Sequence, residues 1–516
     1  MLTLADYPIM GALTSTASEK IRLAVVNPAL RQRNCGKALW CIAAFVALGL
    51  MGHFIVLLWA QHDFTPVEAL VVLHSNMLVH GEGLYWGVNR YPFTISAYGP
   101  IFYAASGFLH NLGVPAYQSA RILSYAALLR SLWLCWRALG YLSSNPFARI
   151  TAVILAASTS NILFWGTTGQ VDMLACCFSL AAFTAFLKFR EQRDRRALVL
   201  SGIFVILAIF TKQTFLAAGA AIGVTLLWED RKHALTWIAG VAIAGGGIAF
   251  TLNAVTHGGF FADAIFANIN PFALFKLQQH VQYLLMTGTG IVVTALAGAI
   301  RPSHRALPLY IYAAFSTCIW LLTASKIGSD LNYQMEMMLV LAMCAAYALD
   351  QLDFFPNLFA ARKSWVTVLQ LPLLLHVAIN MLLSTRVIAE RALFEPAKQQ
   401  ETMALKPFVD HPGRLLSVHY DSLVHNRGRI EVEPLIYNLL VRAGLTDPTT
   451  VLNDLEARQF ATVILGQNLF EPPPAIEDLE FGRLPNLQED AIRKHYRLVK
   501  HVDGLNNVYI YEPRSH

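Results

Sequence analysis

Gln61–Tyr103 reads QHDFTPVEALVVLHSNMLVHGEGLYWGVNRYPFTISAYGPIFY. It follows a long apolar run, 38–60, and precedes the next run that can cross a bilayer, 119–138. Connections between helices are usually a few residues, and longer ones are functional or disordered. This one carries Asp63, Glu68, Glu82, His62, His74, His80 and Arg90 among many aromatics, a composition too apolar for disorder. It reads as a folded loop lying against a membrane, with polar groups gathered for chemistry.

The rest of the chain supplies that membrane. Of 516 residues 55% are hydrophobic and only 14% charged, against about 25% charged in soluble proteins. Apolar runs recur from Lys37 to Ser384, each near the roughly 17–25 residues that cross about 30 Å of hydrocarbon. From Thr385 to His516 there is none. The organisation expected is an N-terminal arm (1–36), a transmembrane domain (37–384) with a loop at 61–118, and a soluble α/β domain (385–516) of ordinary size. The net charge of +6 comes from Lys and Arg at span ends, so it reports orientation and implies no nucleic-acid partner. The N-terminus has a long polar lead and is no cleavable signal. Cys35, Cys41, Cys135, Cys176, Cys177, Cys318 and Cys344 lie in or beside apolar runs. They form neither a disulfide framework nor a zinc spacing and read as small buried hydrophobes.

Candidate spans are 38–60, 119–138, 149–166, 169–188, 197–212, 214–228, 235–254, 281–300, 306–324, 332–350 and 365–384. Basic loops at 188–196, Arg231–Lys232, Arg301–Arg305 and Arg362–Lys363, together with the N-terminal arm, belong in the cytoplasm by the positive-inside rule. Eleven crossings satisfy all of them, provided that 98–114 does not span. That stretch is marginal in length and contains Pro100, Gly107 and His110, so it is expected in the outer interface. The C-terminal domain then lies outside the inner membrane, with the 61–118 loop. The remaining polar residues of the spans fall on this face too. Gln170 and Asp172 open one span, Lys212 sits in a turn, and Asn332, Tyr333 and Glu336 open another. Ionisable groups at membrane depth are costly and usually functional.

This order of motifs resembles the GT-C glycosyltransferases, which include protein O-mannosyltransferases and aminoarabinose transferases. The likeness rests on Val67-Glu68-Ala69-Leu70-Val71, then HGEGLY at 80–85, then Tyr98-Gly99-Pro100. Gln170-Val171-Asp172, Thr211-Lys212, a run from Asn332 to Glu336 and an α/β tail complete it. It covers nearly the whole chain. It implies a helical polytopic enzyme that moves a sugar from a polyprenyl-phosphate donor to a glycan, lipid or protein acceptor, with the bilayer as its solvent. Many members open the first loop with Asp-Glu, whose Asp is the proposed base. Here the pair reads Val67-Glu68, so either Glu68 or Asp63 takes that role.

Such a transfer needs a base for the acceptor hydroxyl, cations or hydrogen-bond donors for the departing phosphate, and a groove for the prenyl chain. A partly buried carboxylate suits the first task. Each candidate has a plain structural alternative. Thr65-Pro66-Val67-Glu68 is a capping box, in which Glu68 bonds back to the Thr65 N–H. Asp63 is also an ordinary loop residue. His80 and Glu82 sit at a helix end, and Arg90 can bond loop carbonyls as readily as phosphate. Asp172 and Lys212 can form an ion pair, or Lys212 can bind phosphate as a point charge. Gln170, Tyr98, Asn332 and Glu336 complete the substrate-binding candidates. No cofactor is required by the spacing. A divalent cation on Asp63, Glu68 and Asp172 would have suitable hard oxygen ligands, whereas the histidines fit no zinc motif. The competing class is a transporter or flippase of a lipid-linked saccharide, which usually shows related halves and polar groups near the midplane. Neither is visible here. In the tail, 415–419 and 461–465 read as buried strands, 434–442 as a helix stopped by Gly444, and 496–502 with 507–511 as a hairpin.

Overall fold

The computed structural model describes residues 28–268, 270–352, 364–471, 483–505 and 507–515. The N-terminal arm before Pro28 and the Arg362–Lys363 loop lie outside them. Five described helices are long and apolar enough to cross a membrane: Asn34–Trp59, Val171–Gln192, Arg231–Val255, Leu307–Ala324 and Val368–Val409. Two further runs are bent, by 67° between Pro146–Ser158 and Ser160–Gly166 and by 85° between Leu274–Thr287 and Thr289–Ala299. With each bent pair taken as one span, the described residues hold up to seven, so the expected eleven are not reached by length and composition. The shortfall has physical causes. Arg195–Thr211 and Met335–Gln351 are 17 residues each and Ala217–Glu229 is 13, or about 26 and 20 Å at 1.5 Å per residue. Ala116–Leu142 is longer but carries Arg121, Arg130 and Arg137 along its length.

Pro100–Asn111 is a separate 12-residue helix, about 18 Å long and too short to cross hydrocarbon. Pro100 opens it at the first turn, where a missing N–H costs nothing. It packs against Pro66–Val79 with Gly107 at the contact, where a Cβ would stand 2.8 Å from the Ser75 carbonyl oxygen. Gly99, just before it, is closer still: a Cβ there would lie 1.8 Å from the Phe210 carbonyl oxygen. Both glycines let backbones approach where a side chain cannot fit.

Ser364–Val409 runs 46 residues as one helix, about 69 Å, through the expected domain boundary at 385. Beyond it comes a four-stranded sheet of β1 (Arg414–Ser417), β2 (Phe460–Leu465), β3 (Tyr496–Val502) and β4 (Val508–Pro513), in the order β1-β2-β4-β3. β1 and β2 are parallel, and helices Tyr420–Asn426, Pro434–Arg442 and Thr449–Glu456 make the crossover such a pair requires. β3 and β4 form the antiparallel hairpin, with Val502 opposite Val508.

The sheet unit is fastened to the first loop. Phe93 pairs with Val432 as an isolated bridge, its N–H donating to the Glu431 carbonyl at 2.8 Å and its carbonyl accepting from the Glu433 N–H at 2.8 Å. The Tyr91 hydroxyl donates to Asp454 at 2.8 Å, and that of Thr446 to the Val88 carbonyl at 2.7 Å. Phe93 lies in the same apolar cluster as Leu416, Tyr437 and Val463. Leu415, Tyr420, Leu423 and Ile464 share a core with the helical bundle. Loop and tail thus close over one end of the bundle. Arg190–Glu229 and Arg305–Glu191 ion pairs mark the other.

Candidate functional site

The loop begins with a helix set by its cap. Thr65 is extended at φ −152°, and its hydroxyl accepts the Glu68 N–H at 3.2 Å. The expected return bond to Thr65 is not made. Glu68 Oε2 accepts instead from the Phe64 N–H at 2.6 Å, and Oε1 from the Gly169 N–H at 2.6 Å. Arg121 donates to both oxygens, from Nε at 2.8 Å and Nη2 at 2.9 Å. The pair is fully buried. Burial alone would raise the Glu68 pKa, but the Arg121 charge and these hydrogen bonds hold it below the usual range. A carboxylate with both oxygens filled and no solvent face is a structural anchor. Glu68 is held there by Arg121 and by the Phe64 and Gly169 N–H groups together. Arg121 also donates to the Ala60 and His62 carbonyls, tying the start of the loop to the bundle. Phe64 is sandwiched between two guanidinium groups, Arg121 at 3.6 Å and Arg391 at 3.8 Å from its ring centre.

Asp172 and Lys212 form the second cluster. Lys212 Nζ donates to Asp172 Oδ1 at 2.6 Å, and Asn332 Nδ2 to Oδ2 at 3.0 Å. The ammonium stands over the Tyr333 ring at 4.0 Å and the Tyr98 ring at 5.1 Å. Both charges are 1% exposed. The structure brings these predicted residues together as a sealed brace beneath the loop. Gln170 joins the first cluster, its amide donating to the Thr65 hydroxyl at 3.1 Å. Glu336 lies inside the bundle, accepting from Ser179 and, at 2.8 Å, from Tyr312.

His80, Glu82 and Arg90 sit apart from both clusters, exposed around the HGEG turn. Gly81 and Gly83 take φ of 81° and 90° there, which glycine adopts without strain. His80 Nδ1 meets the Asn76 carbonyl at 2.7 Å, and Arg90 Nε donates to the Trp86 carbonyl at 2.5 Å. These are the structural alternatives named for both.

Asp63 differs from all of these. Its side chain keeps 11% exposure. Its Oδ1 accepts from Lys398 Nζ at 2.6 Å, and the same ammonium donates to its backbone carbonyl. Its N–H donates to Asp421 Oδ1 at 3.1 Å. Burial pushes the carboxyl above the usual range, the Lys398 charge opposes this, and the Asp421 charge adds to it. Asp421 also accepts from Tyr117 at 2.7 Å and Thr402 at 2.9 Å. The three acids named as possible oxygen ligands each have a cationic partner of their own. Glu68 belongs to Arg121, Asp172 to Lys212 and Asp63 to Lys398.

Several residues here were not found from sequence. Lys398, Asp421 and Glu433 come from the tail, and Arg121 from a span. Glu433 is buried, accepts from the Thr94 hydroxyl at 2.7 Å, and is raised by burial to about 7. Thr94 in turn meets His74 Nε2 at 3.0 Å. Only Arg121 left a sequence signal, an arginine inside an apolar helix.

Residues 99–256 match the family model described as dolichyl-phosphate-mannose-protein mannosyltransferase. Among solved structures the chain is similar to ArnT from Cupriavidus metallidurans in its apo state, with TM-score 0.63 and 12% identity over 92% of this chain and 98% of that one. It is similar also to ArnT bound to undecaprenyl phosphate, with TM-score 0.62, 12% identity and the same coverage. No curated protein sequence matches it. The chain therefore shares the fold of ArnT over 92% of its length, and its 99–256 segment matches the mannosyltransferase family model.

Proposed function

We propose that this protein transfers a sugar from a polyprenyl-phosphate carrier to an acceptor hydroxyl on the extracytoplasmic face of the membrane, with Asp63 as the base. The observation that carries the reading is the position of Asp63. It is a mostly buried carboxylate at the start of the loop, paired with Lys398 yet keeping 11% side-chain exposure, in a fold shared with ArnT along nearly the whole chain, while the Glu68 and Asp172 ion pairs are at most 1% exposed. In the reaction Asp63 accepts the proton of the acceptor hydroxyl. The oxygen bonds to the anomeric carbon, and the carbon–oxygen bond to phosphate breaks with its electron pair leaving on the polyprenyl phosphate. Lys398, beside Asp63 and 23% exposed, is the nearest cation to steady the departing charge. Arg90 is a second, on the loop tip. The Asp172–Lys212–Asn332 brace holds Tyr98 and the loop in place.

The test incubates the purified protein in lipid with a panel of polyprenyl-phosphate sugars and a membrane-glycan extract, following release of polyprenyl phosphate. Asp63→Asn is expected to lower release by about a hundredfold or more, with folding intact. No release by the wild type from any donor, or full release by Asp63→Asn, would remove the reading and return the transporter class to the front.

A further inference from the structure

His62, Asp421 and His425 offer metal-ligand atoms that all lie within 4.8 Å of one another. The two imidazoles stand 4.8 Å apart, centre to centre, and His425 Nε2 is 3.7 Å from Asp421 Oδ1. We infer that these three side chains form a site for a zinc-like divalent cation that clasps the tail to the start of the first loop.

Four features support it. The donor set, two imidazoles and one carboxylate, suits a borderline cation, and three protein ligands leave a fourth position open. His62 Nδ1 is bonded to Glu395 Oε1 at 2.9 Å, which leaves Nε2 for the cation. A carboxylate behind a histidine is the usual support of a metal ligand. Asp421 is likewise oriented, by the hydroxyls of Tyr117 and Thr402. Among the charged groups named around the site, Asp63, Asp421 and Glu395 are opposed by Lys398, a local excess of negative charge that a dication would neutralise. His425 is 32% exposed on its side chain, giving a path for entry. Ligand atoms around tetrahedral zinc are separated by about 3.4 Å for bonds of about 2.05 Å, so binding needs only a small contraction.

The position gives the site a consequence. His62 adjoins Asp63, and Asp421 already holds the Asp63 N–H. A cation here fixes the carboxylate proposed as base through the backbone on one side and the tail on the other. It is a positioning site, distinct from any cation on Asp63, Glu68 and Asp172.

The test uses the full-length protein, purified in detergent from zinc-supplemented cells and passed through a weak chelator. Elemental analysis is expected to find about one zinc per chain. His425→Ala should lose most of it, and Glu395→Gln should weaken affinity about 10- to 100-fold through His62. Should the variants fold poorly, the wild type alone decides. Cobalt-exchanged protein should show the intense visible bands of a tetrahedral centre. Metal-free wild type without those bands overturns the inference, and so does a zinc content unchanged in His425→Ala. Neither readout depends on transferase activity, so failure here is distinguishable from failure of the transfer reading.

Discussion

Removing one partner of the Arg121–Glu68 pair leaves a charge in the interior with nothing to balance it. Glu68→Gln is expected to destabilise the protein by about 3–5 kcal/mol, and Glu68→Gln with Arg121→Met to recover much of that loss. Thermal unfolding in detergent reads both. An active, normally stable Glu68→Gln would contradict the anchor role. Glu433 makes the opposite prediction in pH. Folded, it keeps its proton up to about 7; unfolded, only to the ordinary value of 4.5. The folded chain therefore holds more protons between those values, and its stability falls as pH rises through them. The loss is on the order of 3 kcal/mol. Glu433→Gln removes this slope, so the variant should gain stability over the wild type as pH rises from 4.5 to 7 and hold the gain above it. An equal slope in both proteins would show that Glu433 does not titrate there. Individual contacts were unevenly legible in the sequence. Asp172 and Lys212 announced each other because both are costly at membrane depth and fall on one face. Asp63 and Asp421 are 358 residues apart, and no spacing rule links them.

Helices show what periodicity and length can convey and where they stop. Every expected span has a helical counterpart, yet the breaks at Thr159 and Gly288 were invisible because the apolar runs continue through them. The Pro100–Asn111 helix was legible from its own composition, with proline at its start and too few residues to cross. What fixes its place is the glycine before it. Gly99→Ala would drive a methyl group into the Phe210 carbonyl. The helix must then shift, and with it Tyr98 above Lys212. We expect a markedly lower folded yield and reduced transfer in that variant, measured by gel filtration and donor turnover. An alanine variant with wild-type behaviour would mean that this contact is looser than its geometry.

Across the whole molecule, topology is the strongest remaining test. Single cysteines placed at Asp503 and Glu82 should both react with a membrane-impermeant maleimide from outside intact cells. One at Arg305 should react only after the membrane is opened. Reaction of Arg305→Cys from outside would invert the arrangement. The tail segments read as strands and helix from sequence coincide with β1, β2, the Pro434–Arg442 helix and the β3–β4 hairpin, and the border expected at 385 falls inside the Ser364–Val409 helix. That border is not a hinge, because a single helix carries the chain from hydrocarbon to Glu395, Lys398 and Thr402. Evolution and the protein engineer face the same restriction here. A tail exchanged at 385 would bring its own Lys398 and Asp421 to a foreign Asp63, and the register of one continuous rod would decide whether they meet. Chimeras should respect that rod as a unit, taking the whole Ser364–Val409 helix with the sheet that follows, and the tail cut free at 385 should prove a poor stand-alone fragment.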